Sequence, residues 1–397
     1  MIFKIPKHYM IRLYNKLINI IKPTNSYPVI YNANKVDESN YSKYALLIYI
    51  VKPFLVREDD PGQFRHQHTR QCRQIAAILG ELGFVVDVID IGDKKFTPSR
   101  DYHLVICNRG VDTPLNEDVM RIYLATTLSH DIHNRNLLKR HELLSERRGC
   151  RVELRRFYSE VMPYVERSDA IIGFGNEFIM STWRMAFNLP AYPFNNYGFK
   201  ETGFLIDSKD FYRARKNFLF FASKSQMQKG LDLLLEIFPK HPDLHLYICS
   251  EYEKEGDFCA CYHQELYETP NIHPIGWVPV NGSEYNELVG KCAYVILPSC
   301  SEGQPGSVVQ CMYSGLIPLV TKEAGIDTED FGVTFSNDSM EEIERVIREV
   351  SELPDSRYRE YSIRAREVSV EKYSENAFMD RWRCILAEIL SNNKDEK

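Results

Sequence analysis

Residues suited to chemistry crowd one stretch of the chain. An apolar run ends at Leu297 and Pro298, and Glu302 follows it, then Gly303, Pro305, Gly306, Ser307 and Gln310. This reads as a strand, a loop rich in Gly and Pro, and the start of a helix. Glycines let a backbone approach a ligand closely, and the N–H groups that open a helix can hold a diphosphate. Glu302 stands at the carboxyl end of the strand, where α/β folds place ligand contacts. A tight turn carrying a surface glutamate is the bland reading of the same residues.

A second stretch pairs cations. Phe218 to Ala222 reads as a strand, and Ser223, Lys224, Lys229 and Gly230 follow before a helical pattern. Two lysines on a loop that enters a helix can clamp a diphosphate through charge-assisted hydrogen bonds. A solvated basic turn is the bland reading here.

Together the two stretches resemble the signature of the retaining glycosyltransferases of family four (glycosyltransferases group 1), enzymes of GT-B architecture. In that family a glutamate, Gly, any residue and Pro precede a second glutamate, and a Gly-Arg pair precedes Lys-Gly. The resemblance implies that Glu302 contacts the donor sugar and that the position of Gln310 serves the ribose. Gln310 replaces the usual glutamate and can hydrogen-bond hydroxyls without a charge. Lys224 stands where arginine is commonest and offers a point charge in place of a planar fork.

Weaker matches extend the resemblance. Gly276, Trp277 and Val278 resemble the turn that brings an aromatic ring and a backbone amide to the base. Ser129, His130 and Asp131 follow a strand and resemble the His-Asp of the family, whose histidine reaches the donor sugar. In the first loop, where the family often has a glycine pair, this chain has Pro61-Gly62, and Arg65, His66 and His68 follow as candidates for acceptor or phosphate contact. The residues from Tyr373 to Leu390 look like the closing helix, which crosses back onto the N-terminal domain.

The elements needed to position these groups are legible. Tyr44–Val51, Phe84–Asp90, Leu104–Cys107, Arg121–Thr127 and Asp169–Gly173 read as buried strands. Helices are predicted over Thr69–Leu82 and Asn136–Arg148. The stretch from Leu189 to Arg215 is rich in turn formers and reads as a linker. The pattern then restarts with strands at Asn217–Ala222, Leu244–Cys249, Ala293–Pro298 and Ile317–Val320. The expected fold class is α/β, with two Rossmann-like domains facing a central cleft. Residues 1–40 form a basic N-terminal segment, 41–205 with helix 373–391 the acceptor domain, and 206–372 the donor domain.

The chain has 397 residues, 26% of them charged, and a net charge of −6, which speaks against a nucleic-acid partner. Its ten cysteines are scattered and read as reduced thiols of a cytoplasmic protein. Residues 1–22 carry Lys4, Lys7, Arg12, Lys16 and Lys22 around apolar residues at helical spacing, a pattern suited to an anionic membrane surface.

The expected function is transfer of a sugar, with retention, from a nucleotide-diphosphate sugar to a carbohydrate or lipid-linked acceptor in polysaccharide, lipopolysaccharide or glycolipid synthesis. The sequence has no Asp-x-Asp motif of the other glycosyltransferase fold, so neither a metal nor a cofactor is expected. The place expected is the cytoplasm, with peripheral attachment at the inner face of the membrane. A silent sugar-nucleotide-binding or assembly subunit and a GT-B-fold nucleotide-sugar epimerase are the competing readings.

Overall fold

The computed structural model describes residues 28–57, 67–93, 96–108, 115–116, 118–158, 163–199, 206, 209–280 and 282–395. The basic segment 1–22, Arg65 and His66 lie outside them.

Two six-stranded sheets dominate the fold. In the first, β1 (Lys43–Tyr49), β2 (Phe84–Asp90), β3 (Leu104–Cys107), β4 (Met120–Ala125), β5 (Ala170–Phe174) and β6 (Ala191–Phe194) lie in the order β2-β1-β3-β4-β5-β6. The second contains β7 (Asn217–Phe221), β8 (His245–Cys249), β9 (Ile272–Pro274), β10 (Tyr294–Leu297), β11 (Ile317–Thr321) and β12 (Val333–Phe335), in the order β12-β11-β10-β7-β8-β9. Every paired neighbour runs parallel. Parallel strands are covered on both faces, which is why β1 and β10 read as unbroken apolar runs rather than alternating ones. Strand order reverses between β1 and β3 in one sheet and between β7 and β10 in the other. Such reversals open a crevice at the carboxyl ends of the strands.

The supposed linker contains a strand. Residues 191–194 form β6, paired to β5 at the edge of the first sheet. Pro193 disguised it, since proline is tolerated only on edge strands and at bulges.

Five helices matter to the site: α1 (Gln67–Glu81), α2 (His130–Arg148), α3 (Leu231–Ile237), α4 (Gly306–Tyr313) and α5 (Glu375–Asp395). Helix α5 lays Phe378, Trp382, Ile385, Leu386 and Ile389 into the core of the first sheet, where Trp382 meets Phe194 with ring centroids 5.1 Å apart. Each such side chain is worth roughly 1.5–3 kcal/mol of burial, which holds the end of the chain to the strands near its beginning. Among the described residues no helix is long and apolar enough to cross a membrane.

Helix α2 begins at His130, six residues before the predicted start at Asn136, because its first turn is polar and lacks an apolar stripe. It also carries more of the contact between the two sheets than its charged sequence suggested. Arg140 is fully buried, 3.4 Å from Asp232 and 3.1 Å from Asp338. Arg147 reaches Asp232 at 2.9 Å and Arg148 reaches Glu265 at 2.6 Å. Burial opposes the charge of Arg140, but Asp232 and Asp338 outweigh it and raise its pKa. Removing one member would strand a buried charge, a loss of about 3–5 kcal/mol.

The expectation of reduced thiols throughout is corrected here. Cys150, just after α2, forms a disulfide with Cys261 of the short helix Gly256–Cys261, across 111 residues of sequence. Residues so far apart in sequence could not be matched before the packing of α2 was known.

Candidate active site

A cavity of about 470 Å³ opens between the carboxyl ends of the two sheets, a size that suits a small-molecule ligand. The first sheet contributes Tyr49, Asn108, Thr126, Thr127 and Phe174, and the second contributes Ser223, Lys229, Cys249, Glu302, Gln304, Pro305, Gly306 and Ser307, while Gly303 does not line it. Both strand-order reversals therefore face the same space.

Glu302 follows β10 and Lys229 precedes α3. Their side chains are buried, and the ammonium donates to Oε1 of Glu302. Burial pushes the Glu302 carboxyl up, but Lys229 and Arg156 outweigh it and hold it below its ordinary value. Burial pulls the Lys229 ammonium down, with Glu302 opposing. The result is a charged pair at the wall of a cleft, where water screens it less than at the surface.

Backbone geometry sets this pair. Gly230 has φ +85°, and a Cβ there would lie 2.3 Å from the carbonyl oxygen of Pro298. Only glycine lets the Lys229 loop press against the end of β10. Glu255 accepts from the N–H groups of Ser225 and Gln226 and so fixes the turn ahead of Lys229. A Cβ on Gly303 would lie 2.5 Å from the carbonyl oxygen of Thr126. Gly303 thus lets the Glu302 loop meet the opposite sheet.

Helix α4 starts at Gly306 behind Pro305. Pro305, Gly306 and Ser307 line the cavity, so a helix N-terminus faces it. Trp277 and Val278 line it too; Trp277 is 56% exposed and Val278 is buried.

Three expected residues lie elsewhere. Lys224 is largely exposed, 4.0 Å from Glu251, and does not line the cavity, because the loop turns between it and Lys229. His130 lies behind the cavity wall, stacked on Tyr158 at 3.9 Å, with its Nε2 3.4 Å from the hydroxyl of Tyr123. Starting α2 at residue 130 turns that ring into the aromatic packing. Gln310 is fully buried in α4, and its amide is bonded to the backbone of Phe199. His68 lies within α1, and its side chain is outside the described set.

The structure also brings in residues that motif reading missed. Arg156 lines the cavity, with Nη1 3.8 Å from Oε1 of Glu302. His133, one turn after His130, is completely buried between Ser301 and the carbonyl of Arg156. A carbonyl can only accept, so Nε2 of His133 carries the proton, and Nδ1 accepts from the Ser301 hydroxyl 2.8 Å away. Burial lowers the pKa of this imidazole, consistent with that neutral form. The one available signal was the Arg155-Arg156 pair before two aromatics, which matches no motif.

Residues 215–352 match the family Glycosyl transferases group 1. No curated protein matches the chain in sequence. Among solved structures, sucrose-phosphate synthase from Thermosynechococcus elongatus matches at TM-score 0.60 with 11% identity, over 88% of this chain and 100% of that one. Alr3699/HepE from Anabaena, solved in complex with UDP, matches at TM-score 0.55 with 12% identity, over 88% of this chain and 100% of that one. TarM matches at TM-score 0.48 with 15% identity over 70% of this chain, which spans about half (53%) of that protein's length. At these identities the likeness is one of fold: two parallel sheets in the GT-B arrangement.

Proposed function

Residues 215–352 match the glycosyl transferases group 1 family, and on that premise we propose that the protein is a glycosyltransferase. It moves a sugar from a nucleoside-diphosphate sugar to an acceptor hydroxyl with retention of configuration. The observation that carries this reading is the buried Lys229–Glu302 pair beside the α4 N-terminus, in one cleft.

The roles follow from charge. As the bond from anomeric carbon to oxygen breaks, negative charge collects on the departing diphosphate. Lys229 and the first-turn N–H groups of α4 stand where they stabilise that charge most in the transition state. Glu302 faces the sugar, and its carboxylate supports positive charge at the anomeric carbon. Trp277 offers a ring to the base and Ser223 a polar contact to the phosphates. The acceptor hydroxyl attacks from the leaving-group side, its proton passing to the diphosphate oxygen, and no metal takes part.

In this reading residues 41–205 with helix 373–391 form the acceptor domain and 206–372 the donor domain. The acceptor is a carbohydrate or a lipid-linked sugar of polysaccharide, lipopolysaccharide or glycolipid synthesis. Residues 1–22 hold the protein at the inner face of the membrane that carries it.

Turnover tests the reading. Purified protein is given UDP-, GDP- and ADP-sugars with and without chelator, and release of nucleoside diphosphate is followed with cell-extract glycans as acceptors. One donor should be consumed, chelator should not matter, and Glu302→Gln should slow release by roughly 100-fold or more. Binding without turnover of any donor would favour a silent sugar-nucleotide-binding subunit, a reading to which the engagement of Gln310 by Phe199 lends support.

A further inference from the structure

Arg156 sits on the first-sheet side of the chain, yet its segment is fastened to the second. Cys150 is joined to Cys261, Arg155 reaches Asp257 at 2.6 Å, and the N–H of Glu153 donates to the same carboxylate. From the other side, α2 holds the end of the segment. His133 donates to the Arg156 carbonyl at 2.7 Å, and Asn134 bonds the N–H and carbonyl of Tyr158 at 3.0 and 2.8 Å.

These bonds keep Arg156 at φ +61°. That left-handed conformation is uncommon for a side chain other than glycine, asparagine or aspartate, and such strain of about 1–3 kcal/mol persists only where surroundings enforce it, often at ligand sites. Arg155 and Arg156 then diverge. Arg155 is engaged by Glu153, Glu255 and Asp257. Arg156 points into the cavity, and among the described residues no hydrogen bond engages its guanidinium; its one ion pair is the 3.8 Å approach to Glu302.

We propose that Arg156 is a donor-binding residue whose guanidinium grips the diphosphate of the nucleotide sugar together with Lys229. This deepens the glycosyltransferase reading and rests on it. Lys229 and Arg156 bring two positive charges to one carboxylate, so the cleft has a surplus cation for an anionic ligand. A planar guanidinium matches phosphate oxygens two at a time, which an ammonium does not. Arg156 thus supplies the fork that Lys224 lacks.

Calorimetric titration of the intact protein with UDP, GDP and ADP, and with the matching nucleosides, tests this. Arg156→Gly is the informative variant, since glycine keeps the left-handed backbone while removing the side chain that carries the guanidinium. We expect the preferred diphosphate to bind roughly 10- to 100-fold more weakly, the nucleoside to bind as before, and Arg156→Lys to fall between. Wild-type affinity for the diphosphate in Arg156→Gly, with the loss appearing in Lys224→Ala instead, overturns the assignment while leaving the glycosyltransferase reading intact. Failure of wild-type protein to bind any of the three diphosphates overturns both.

Discussion

Gln310 and Phe199 are joined by two hydrogen bonds: the Phe199 N–H donates to Oε1 at 2.8 Å, and Nε2 donates to the Phe199 carbonyl at 3.1 Å. The amide thus pairs with a backbone as a neighbouring strand would, and ties α4 to the segment after β6. An amide can do this because it offers one acceptor and one donor together; a carboxylate offers acceptors only.

Gln310→Glu should therefore destabilise the fold. The carboxylate would face the Phe199 carbonyl with no proton to share, and would be buried. A loss of about 1–3 kcal/mol is expected in urea denaturation, and Gln310→Ala should cost a similar amount by removing both bonds to the Phe199 backbone. If Gln310→Glu kept full stability and tightened nucleotide binding, this position would serve ribose.

His133 makes the contact between sheets sensitive to acid. Burial lowers its pKa, with Glu302 and the Arg156 carbonyl opposing. In the unfolded chain it protonates near pH 6.5. The stability it carries as a neutral group is complete above that pH. It is lost as the pH falls from there toward the lower folded value, since the unfolded chain then binds more protons. The urea midpoint should fall between about pH 7 and about pH 5, and His133→Gln should flatten that slope. An equal slope in the variant would assign the effect to other groups.

The disulfide should contribute measurably to stability. Its closure spans 111 residues, for which chain entropy gives about 4–5 kcal/mol and engineered precedents about 2–4 kcal/mol. Reductant should lower the melting temperature of the wild type and leave Cys150→Ser unmoved. Peptide mapping without reduction should recover the Cys150–Cys261 peptide. Recovery of both cysteines as free thiols would refute the bond.

Much of the architecture was legible because buried parallel strands announce themselves as apolar runs, as at Ala45–Ile48 and Val295–Leu297. Glu302, Lys229 and Gly306 were legible as candidates because each lies a few residues beyond such a run. What stayed hidden depends on packing across the chain. His133 and Ser301 are 168 residues apart, and Arg156 acquires a position only when α2 has docked on the second sheet. Gln310 reads as a ligand contact by its spacing from Glu302, but its rotamer is decided by Phe199, 111 residues away. β6 was obscured by Pro193, which an edge strand tolerates.

If a nucleoside diphosphate binds in the cleft on Lys229, thermal shift of the wild type and Lys229→Ala with UDP, GDP, ADP and their sugar conjugates will show it. A ligand at about 100 times its dissociation constant stabilises a fold by ~2.7 kcal/mol, a readily measured shift. One nucleotide family should raise the melting temperature of the wild type and do so far less for the variant, each compared with its own ligand-free baseline. No shift with any nucleotide, or an equal shift in both proteins, would contradict it.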